Sequence, residues 1–278
     1  MNTLPAYEIY TAPELSESSL LVCWDMDAGK VGPKVFSYLN SCLDLELFAE
    51  IDSCDYFTLG GVLVENDVAR FPQIKMYHAR NSEVVILRSA TPRFEWYKYL
   101  STVFEIAEKI CKVREVYTIG GIVSVSAHTV PRILMANLNS GEIREKLSGF
   151  DVAMNMDYET PPGQRPTMSS YLSWEAGRRN IPAVSLWVPV PFYMVGIEDL
   201  RGCTRVLEFL EARFQLGLNI ANLDTDISRQ NHKINSIIEH YPDLLDTIRK
   251  LESNNALTDA ESGRLLEIMG EELKIPGY

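Results

Sequence analysis

The sequence predicts a mixed α/β fold, a largely parallel sheet with flanking helices, followed by a C-terminal helical subdomain. Two observations carry the α/β part. Short continuous apolar runs, such as residues 19–24, are typical of strands buried on both faces. They alternate with longer segments that repeat apolar residues at helical spacing, such as residues 96–111. Residues 219–278 carry only helical patterns, so we place an α/β domain at 1–218 and the helical subdomain at 219–278.

The first half of the chain begins with the strand at residues 19–24, which ends at Asp27, Ala28 and Gly29. Apolar residues at helical spacing then predict a helix over residues 33–47. Asn81 and Ser82 separate two apolar runs, which indicates a pair of adjacent strands. The strands predicted in this half are residues 19–24, 48–51, 56–59, 73–78 and 83–88, with Gly60 and Gly61 after the third.

The second half alternates in the same way. Trp96 opens a strongly amphipathic helix, and the next strand is closed by Gly120 and Gly121. Polar stretches around Asn66 and at residues 156–167 are predicted to be surface loops. The elements predicted here are a helix at 96–111, a strand at 115–119, a helix at 171–180, a strand at 183–188 and a helix at 200–216.

The tail is predicted to hold three helices. Residues 222–241 form an apolar stripe, and Pro242 stands at the start of a second helix, where a missing N–H costs nothing. Thr258 and Glu261 match the capping-box pattern ahead of a third helix.

Composition excludes several classes of protein. The chain has 278 residues and a formal charge of −12, from 26 Lys and Arg against 38 Asp and Glu. Binding to nucleic acid or to an anionic membrane is therefore not expected, because both need clustered cations. The five cysteines form no C-x-x-C pair and the four histidines are scattered, so we predict no metal site and no redox dithiol. We also predict no cofactor.

Targeting signals are also not evident. The N-terminus lacks a basic segment followed by an apolar one, and prolines interrupt the apolar stretch at residues 181–197. We expect a cytoplasmic protein.

The best polar constellation follows two predicted strands. Asp25 and Asp27 follow the first strand, and His128 and Arg132 follow the strand that ends near Ile119. Ligands of open α/β sheets bind beyond the carboxyl ends of the strands, so these four residues are candidate ligand-binding residues. A carboxylate as base, a histidine as acid and an arginine as anion clamp suit a small polar substrate. The alternative is structural, with Asp27 capping the turn and His128 hydrogen-bonding its own loop.

A candidate partner interface lies at residues 186–194, which are rich in aromatic residues and proline. Trp187, Phe192 and Tyr193 belong to the residue types that are enriched at interfaces. Core strands contain the same residues, so both interpretations stay open.

Motifs for known chemistries are missing from the sequence. It contains no Walker A pattern, G-x-G-x-x-G, H-E-x-x-H or G-x-S-x-G. A non-enzymatic protein is therefore favoured over an enzyme or binding protein for a nucleoside-like ligand.

The order of short motifs resembles the proteasome assembly chaperone 2 family. The similar segments are Asp27-Ala28-Gly29, Arg88-Ser89-Ala90-Thr91-Pro92 before Trp96, Gly120-Gly121, Ala127-His128-Thr129-Val130-Pro131, and Val188-Pro189 with Pro191-Phe192-Tyr193. The resemblance implies a fold like that of the purine nucleoside phosphorylases without established catalysis. It also implies homo-oligomers and, as possible partners, proteasome α-subunits or another protein complex.

Overall fold

The computed structural model describes residues 6–58, 63–65, 67–157, 160 and 162–274. Within these residues the strands are β1 (Tyr7–Ile9), β2 (Ser18–Trp24), β3 (Leu45–Ile51), β4 (Leu63–Glu65), β5 (Val68–Arg70), β6 (Ile74–Ala79), β7 (Val84–Ser89), β8 (Val113–Ser124), β9 (Met135–Leu138) and β10 (Ala183–Pro191). The α-helices are α1 (Val31–Cys42), α2 (Trp96–Lys109), α3 (Gly141–Leu147), α4 (Met168–Arg178), α5 (Leu200–Phe214), α6 (Asp224–His240), α7 (Pro242–Glu252) and α8 (Asp259–Glu272).

Eight strands form one mixed sheet in the order β1-β3-β6-β7-β2-β8-β10-β9. The four neighbouring strands β7, β2, β8 and β10 run parallel to one another. The remaining strands add antiparallel neighbours at both sides, and β6 and β7 are the adjacent pair predicted around Asn81 and Ser82. The predicted mixed α/β sheet with flanking helices is confirmed.

The sheet separates two apolar cores. Successive side chains of a strand point to opposite faces, so Leu21 and Cys23 of β2 enter one core while Leu20 and Val22 enter the other. Helices α1 and α5 cover the first core, and α2 and α4 cover the second. This two-sided burial explains why β2 reads as a continuous apolar run.

The three tail helices extend the first core. Ile234 of α6, Leu244 of α7 and Leu265 of α8 belong to the same apolar cluster as α1 and α5. Thr258 and Glu261 form the predicted capping box, and Pro242 opens α7 as predicted. The tail therefore shares its apolar core with the α/β part. The division between residues 218 and 219 stays a prediction.

Several predicted boundaries are wrong. The helix predicted to reach Leu47 ends at Cys42, because Leu43 is already extended and Leu47 of β3 pairs with Tyr77 of β6. Residues 54–57 form a turn rather than a strand, and Tyr56 is buried against Tyr99 at 5.4 Å between ring centroids.

The glycine pair Gly120-Gly121 lies inside β8 and does not close it. The stretch around Asn66 is flanked by the small antiparallel hairpin of β4 and β5 rather than being only loop. Gly60, Gly61 and Asn66 themselves lie outside the described residues.

Candidate functional site

The four candidate ligand residues lie at one edge of the sheet. Because β2 and β8 are parallel, their carboxyl ends meet there, with Cys23 opposite Ile119. Asp25 and Asp27 follow β2, and His128 and Arg132 lie in the segment between β8 and β9. Their common use as a ligand site stays a prediction, and the hydrogen bonds of each residue define what it does in the fold.

Asp27 braces the start of α1 against β8. Its Oδ2 accepts hydrogen bonds from the backbone N–H groups of Gly32 and Gly121, each at 2.9 Å. Its other oxygen, Oδ1, is buried and has no hydrogen-bond partner among the described residues. Burial raises the pKa of Asp27 to about 6, although the backbone hydrogen bonds act in the opposite direction.

The close approach behind this brace requires glycine at position 121. A Cβ added to Gly121 would lie 2.0 Å from the carbonyl oxygen of Ala28. Ala28 belongs to the turn that leads into α1, where Gly29 adopts a positive φ of 67°. The turn after β2 and the middle of β8 are therefore in direct backbone contact.

Arg132 is buried in an ion pair with Asp199. Its Nε donates to Asp199 Oδ2 at 2.7 Å, and the two side chains are only 2% and 1% exposed. Its Nη1 donates to the backbone carbonyl of Val130 at 2.8 Å. Asp199 also caps α5 by accepting a hydrogen bond from the N–H of Gly202. The guanidinium thus satisfies a structural carboxylate, which the sequence reasoning missed because 67 residues separate the partners.

His128 is fully buried and connects β10 to the tail. Its Nδ1 lies 2.9 Å from the Tyr193 hydroxyl, and its Nε2 lies 3.0 Å from Asn235 Oδ1 on α6. The Tyr193 oxygen also accepts a hydrogen bond from the His128 backbone N–H at 2.7 Å. These contacts fit a neutral imidazole whose Nε2–H donates to Asn235 Oδ1 and whose Nδ1 accepts from the Tyr193 hydroxyl. Burial lowers the pKa of His128, which favours this neutral form.

Asp25 is the more exposed of the two carboxylates after β2. Its Oδ1 accepts a hydrogen bond from Arg88 Nε of β7 at 2.8 Å. The Arg88 guanidinium also stacks on the Phe36 ring, 4.8 Å from its centroid. Asp25 is therefore paired across neighbouring strands rather than directed at a shared pocket with His128.

The predicted partner interface lies largely inside the fold. Tyr193 is only 1% exposed, which corrects its assignment to a contact surface, because its hydroxyl is already bound to His128. Phe192 is half-buried with its ring edge-on to that of Tyr193 at 5.4 Å. Trp187 is half-buried over Gly120, within 3.1 Å of a Cβ built there. An interface role for Trp187 and Phe192 stays a prediction.

A different apolar surface lies at this edge of the sheet. The last residues of β8 extend past β2, whose pairing with β8 stops at Cys23 and Ile119, and Val125 follows them. Ile122, Val123 and Val125 are 45%, 57% and 62% exposed, and Met26 just after β2 is 81% exposed. We call these four residues the apolar rim. The sequence does not predict this rim, because a glycine pair ordinarily indicates the end of a strand, whereas Gly120 and Gly121 lie inside β8.

Neither a metal-binding cluster nor a membrane-spanning helix is present among the residues that the structure describes. No group of three or more His, Cys, Asp or Glu there is arranged to hold a metal ion. None of the described helices is long and apolar enough to cross a membrane.

This is an α/β protein in which polar residues after the strands hold the turns, the sheet and the tail together. The chain belongs to the PAC2 family, whose model matches residues 25–238. No curated protein matches the sequence.

Solved structures share the fold at low identity. A Mycobacterium tuberculosis protein of unknown function is 21% identical with a TM-score of 0.76, covering 96% of this chain and 98% of its own. The M. tuberculosis proteasome-assembly chaperone homologue is 18% identical with a TM-score of 0.65, and the match covers 78% and 94% of the two chains. PbaB of Pyrococcus furiosus, an archaeal proteasome activator, is 17% identical with a TM-score of 0.67, covering 83% and 97%.

Proposed function

We propose that this chain is a non-enzymatic assembly chaperone or scaffold that acts through protein–protein contacts, resembling proteasome assembly chaperone 2. The observation that carries the proposal is the internal use of the candidate ligand residues. Arg132 and His128 are buried, and their hydrogen bonds go to Asp199, Tyr193 and Asn235. These side chains stabilise the fold. We therefore assign the function to contacts that the protein surface makes with other proteins.

The apolar rim supplies a surface for such contacts. We propose that the three exposed β-branched residues at the end of β8 and just after it, Ile122, Val123 and Val125, contribute to such a surface, since exposed apolar area marks interaction sites. We propose that the protein forms a homo-oligomer, works in the cytoplasm, and has proteasome α-subunits or another protein complex as its client. Membership of the PAC2 family and the fold shared with an archaeal proteasome activator support this choice.

Reconstitution with purified α-subunits tests the proposal. The α-subunits from the same organism are mixed with and without the chain, and native mass spectrometry follows ring formation over time. We expect faster or more complete ring formation with the chain. Val123→Ser and Val125→Ser together should reduce this effect, whereas Val64→Ser and Val68→Ser, on the exposed hairpin of β4 and β5, serve as a matched control. If the chain neither binds α-subunits nor changes their assembly at micromolar concentration, the proteasome client is wrong.

The alternative function is binding or turnover of a nucleoside-like or other small polar ligand. One observation favours it, namely that Asp27 Oδ1 is buried without a hydrogen-bond partner among the described residues. The test is a thermal-shift measurement with nucleosides, nucleotides and inorganic phosphate, since a ligand that binds only the folded state raises the melting temperature. A shift that is lost in folded Asp27→Asn and His128→Ala variants would support this alternative. No shift with any of these compounds would count against it.

A further inference from the structure

A cavity of about 500 Å³ lies where α6 and the end of α8 meet the start of α1 and the turn before α5. Its volume falls within the range of pockets that bind ligands. Lys30 and Lys34 line it from the α1 side, and Arg229 and Lys233 line it from α6. We call this cavity the basic groove. Its lining residues are separate from Asp27, His128 and Arg132.

Positive charge is in excess in the basic groove. Its two carboxylates are already paired, Glu198 with Lys34 at 2.8 Å and Asp226 with Arg229 at 2.8 Å. Lys30 and Lys233 have no carboxylate within 4.0 Å among the residues that the structure describes. Among the described residues, the groove therefore carries two cations without a paired carboxylate, in a chain whose formal charge is −12. This local excess attracts an anion, and the attraction extends over about 10 Å at 0.1 M salt.

The floor of the basic groove is apolar. It is lined by Ile197, which is half-buried, and by Leu200 and Leu273, which are 8% and 9% exposed. An inorganic anion uses only the charged rim of such a site. A ligand that carries apolar groups beside its negative charges uses both.

The walls of the basic groove are held in place by hydrogen bonds. The Gln230 side chain on α6 donates to the backbone carbonyl of Glu198 at 2.5 Å and accepts from the N–H of Leu200 at 3.3 Å. The N–H of Gly29, beside Lys30, donates to the carbonyl of Val195 at 3.0 Å. The groove thus exists before a ligand arrives, which lowers the entropic cost of binding.

We propose that the basic groove binds an acidic segment of a partner protein, a stretch that places Asp or Glu side chains against Lys30 and Lys233 and an apolar side chain on Ile197 and Leu200. The inference rests on the proposed function, because it specifies one surface by which the chain contacts other proteins. Charge complementarity selects the occupant, and the apolar floor selects a peptide over a simple anion.

Fluorescence anisotropy of the full chain with a labelled peptide tests the inference. The probe is acetyl-Gly-Glu-Leu-Glu-Asp-Ile-Gly-amide with a fluorescein label, and the control peptide has Gln and Asn in place of the acidic residues. We expect saturable binding of the acidic peptide that weakens as salt is raised, and binding of the control peptide at least tenfold weaker.

Two charge-matched double variants locate the site. Lys30→Gln with Lys233→Gln should weaken binding of the acidic peptide at least tenfold. Lys98→Gln with Lys109→Gln removes the same charge from an exposed face and should change binding less than twofold. The inference is overturned if both double variants bind alike, if the neutral peptide binds equally well, or if only inorganic phosphate binds with this lysine dependence.

The outcome is distinguishable from that of the proposed function. The groove proposal alone is rejected if the wild-type chain does not bind the peptide while the groove variant still promotes α-subunit assembly. A wild-type chain that binds the peptide but leaves α-subunit assembly unchanged would reject the proteasome client alone.

Discussion

Replacing Gly121 with alanine tests the backbone contact that organises the candidate site. The added Cβ would lie 2.0 Å from the Ala28 carbonyl oxygen, whereas ordinary contact begins near 3.4 Å. The obstacle is backbone, and neighbouring Gly29 is fixed by hydrogen bonds to Val195 and Asp199 at 3.0 and 2.8 Å. Strain from an overpacked methyl group costs about 1–3 kcal/mol. Moving β8 away from the turn also weakens the hydrogen bond from Gly121 to the Asp27 carboxylate, which is worth about 1.5–3 kcal/mol.

We therefore expect Gly121→Ala to lower the free energy of unfolding by about 3–5 kcal/mol, a large part of the 5–15 kcal/mol typical of a folded protein. Urea unfolding followed by circular dichroism measures this, at one protein concentration because oligomers make stability concentration-dependent.

Two glycine variants serve as controls for Gly121→Ala. A Cβ at Gly120 would lie 3.1 Å from the ring edge of half-buried Trp187, so Gly120→Ala should cost no more than about 1 kcal/mol. Gly149 has nothing within 4 Å of its added Cβ, so Gly149→Ala should be neutral or stabilise by up to about 1 kcal/mol. The reasoning fails if Gly121→Ala stays within about 1 kcal/mol of wild type, or if Gly120→Ala costs as much.

Three further predictions concern other contacts. Folding raises the pKa of Asp27 to about 6, so ionisation of the buried carboxyl lowers the stability of the fold. The stabilising contribution of the protonated carboxyl is fully present below about pH 4 and is lost as pH rises through 6. The stability of Asp27→Asn relative to wild type should thus increase between about pH 4 and pH 7.5, by up to about 3 kcal/mol, and a pH-independent difference in urea titrations would contradict the burial argument. Arg132→Met leaves Asp199 buried without its cation and should cost about 3–5 kcal/mol in urea unfolding, whereas adding Asp199→Asn should recover part of the loss; no recovery would mean that the charge is not the cause. Thr258→Ala removes the cap of α8 and should lower stability by about 1 kcal/mol, with Thr258→Ser close to wild type by the same assay.

The sequence predicts the elements whose signals are local. The run of apolar residues at 19–24 is β2, and the two runs around Asn81 and Ser82 are β6 and β7. Pro242 and the Thr258–Glu261 capping box begin α7 and α8, because both act within one helical turn.

The sequence does not predict the contacts that join distant segments. A glycine pair ordinarily indicates a turn, but Gly121 lies inside β8. Glycine is needed there because the backbone of Ala28, far away in the chain, occupies the space that a side chain would fill. The partners of Arg132 and His128, which are Asp199 and Asn235, lie 67 and 107 residues away. The sequence therefore places the four candidate residues after two neighbouring strands, whereas their hydrogen bonds within the fold depend on tertiary contacts.

Native mass spectrometry of the tagged protein, isolated from its own cell lysate at low salt, tests the central claim most directly. The proposed function predicts a homo-oligomer that carries proteasome α-subunits. A chain that carries no protein, but holds a stoichiometric small molecule that Asp27→Asn and His128→Ala variants lose, would contradict it and assign the function to the edge of the sheet.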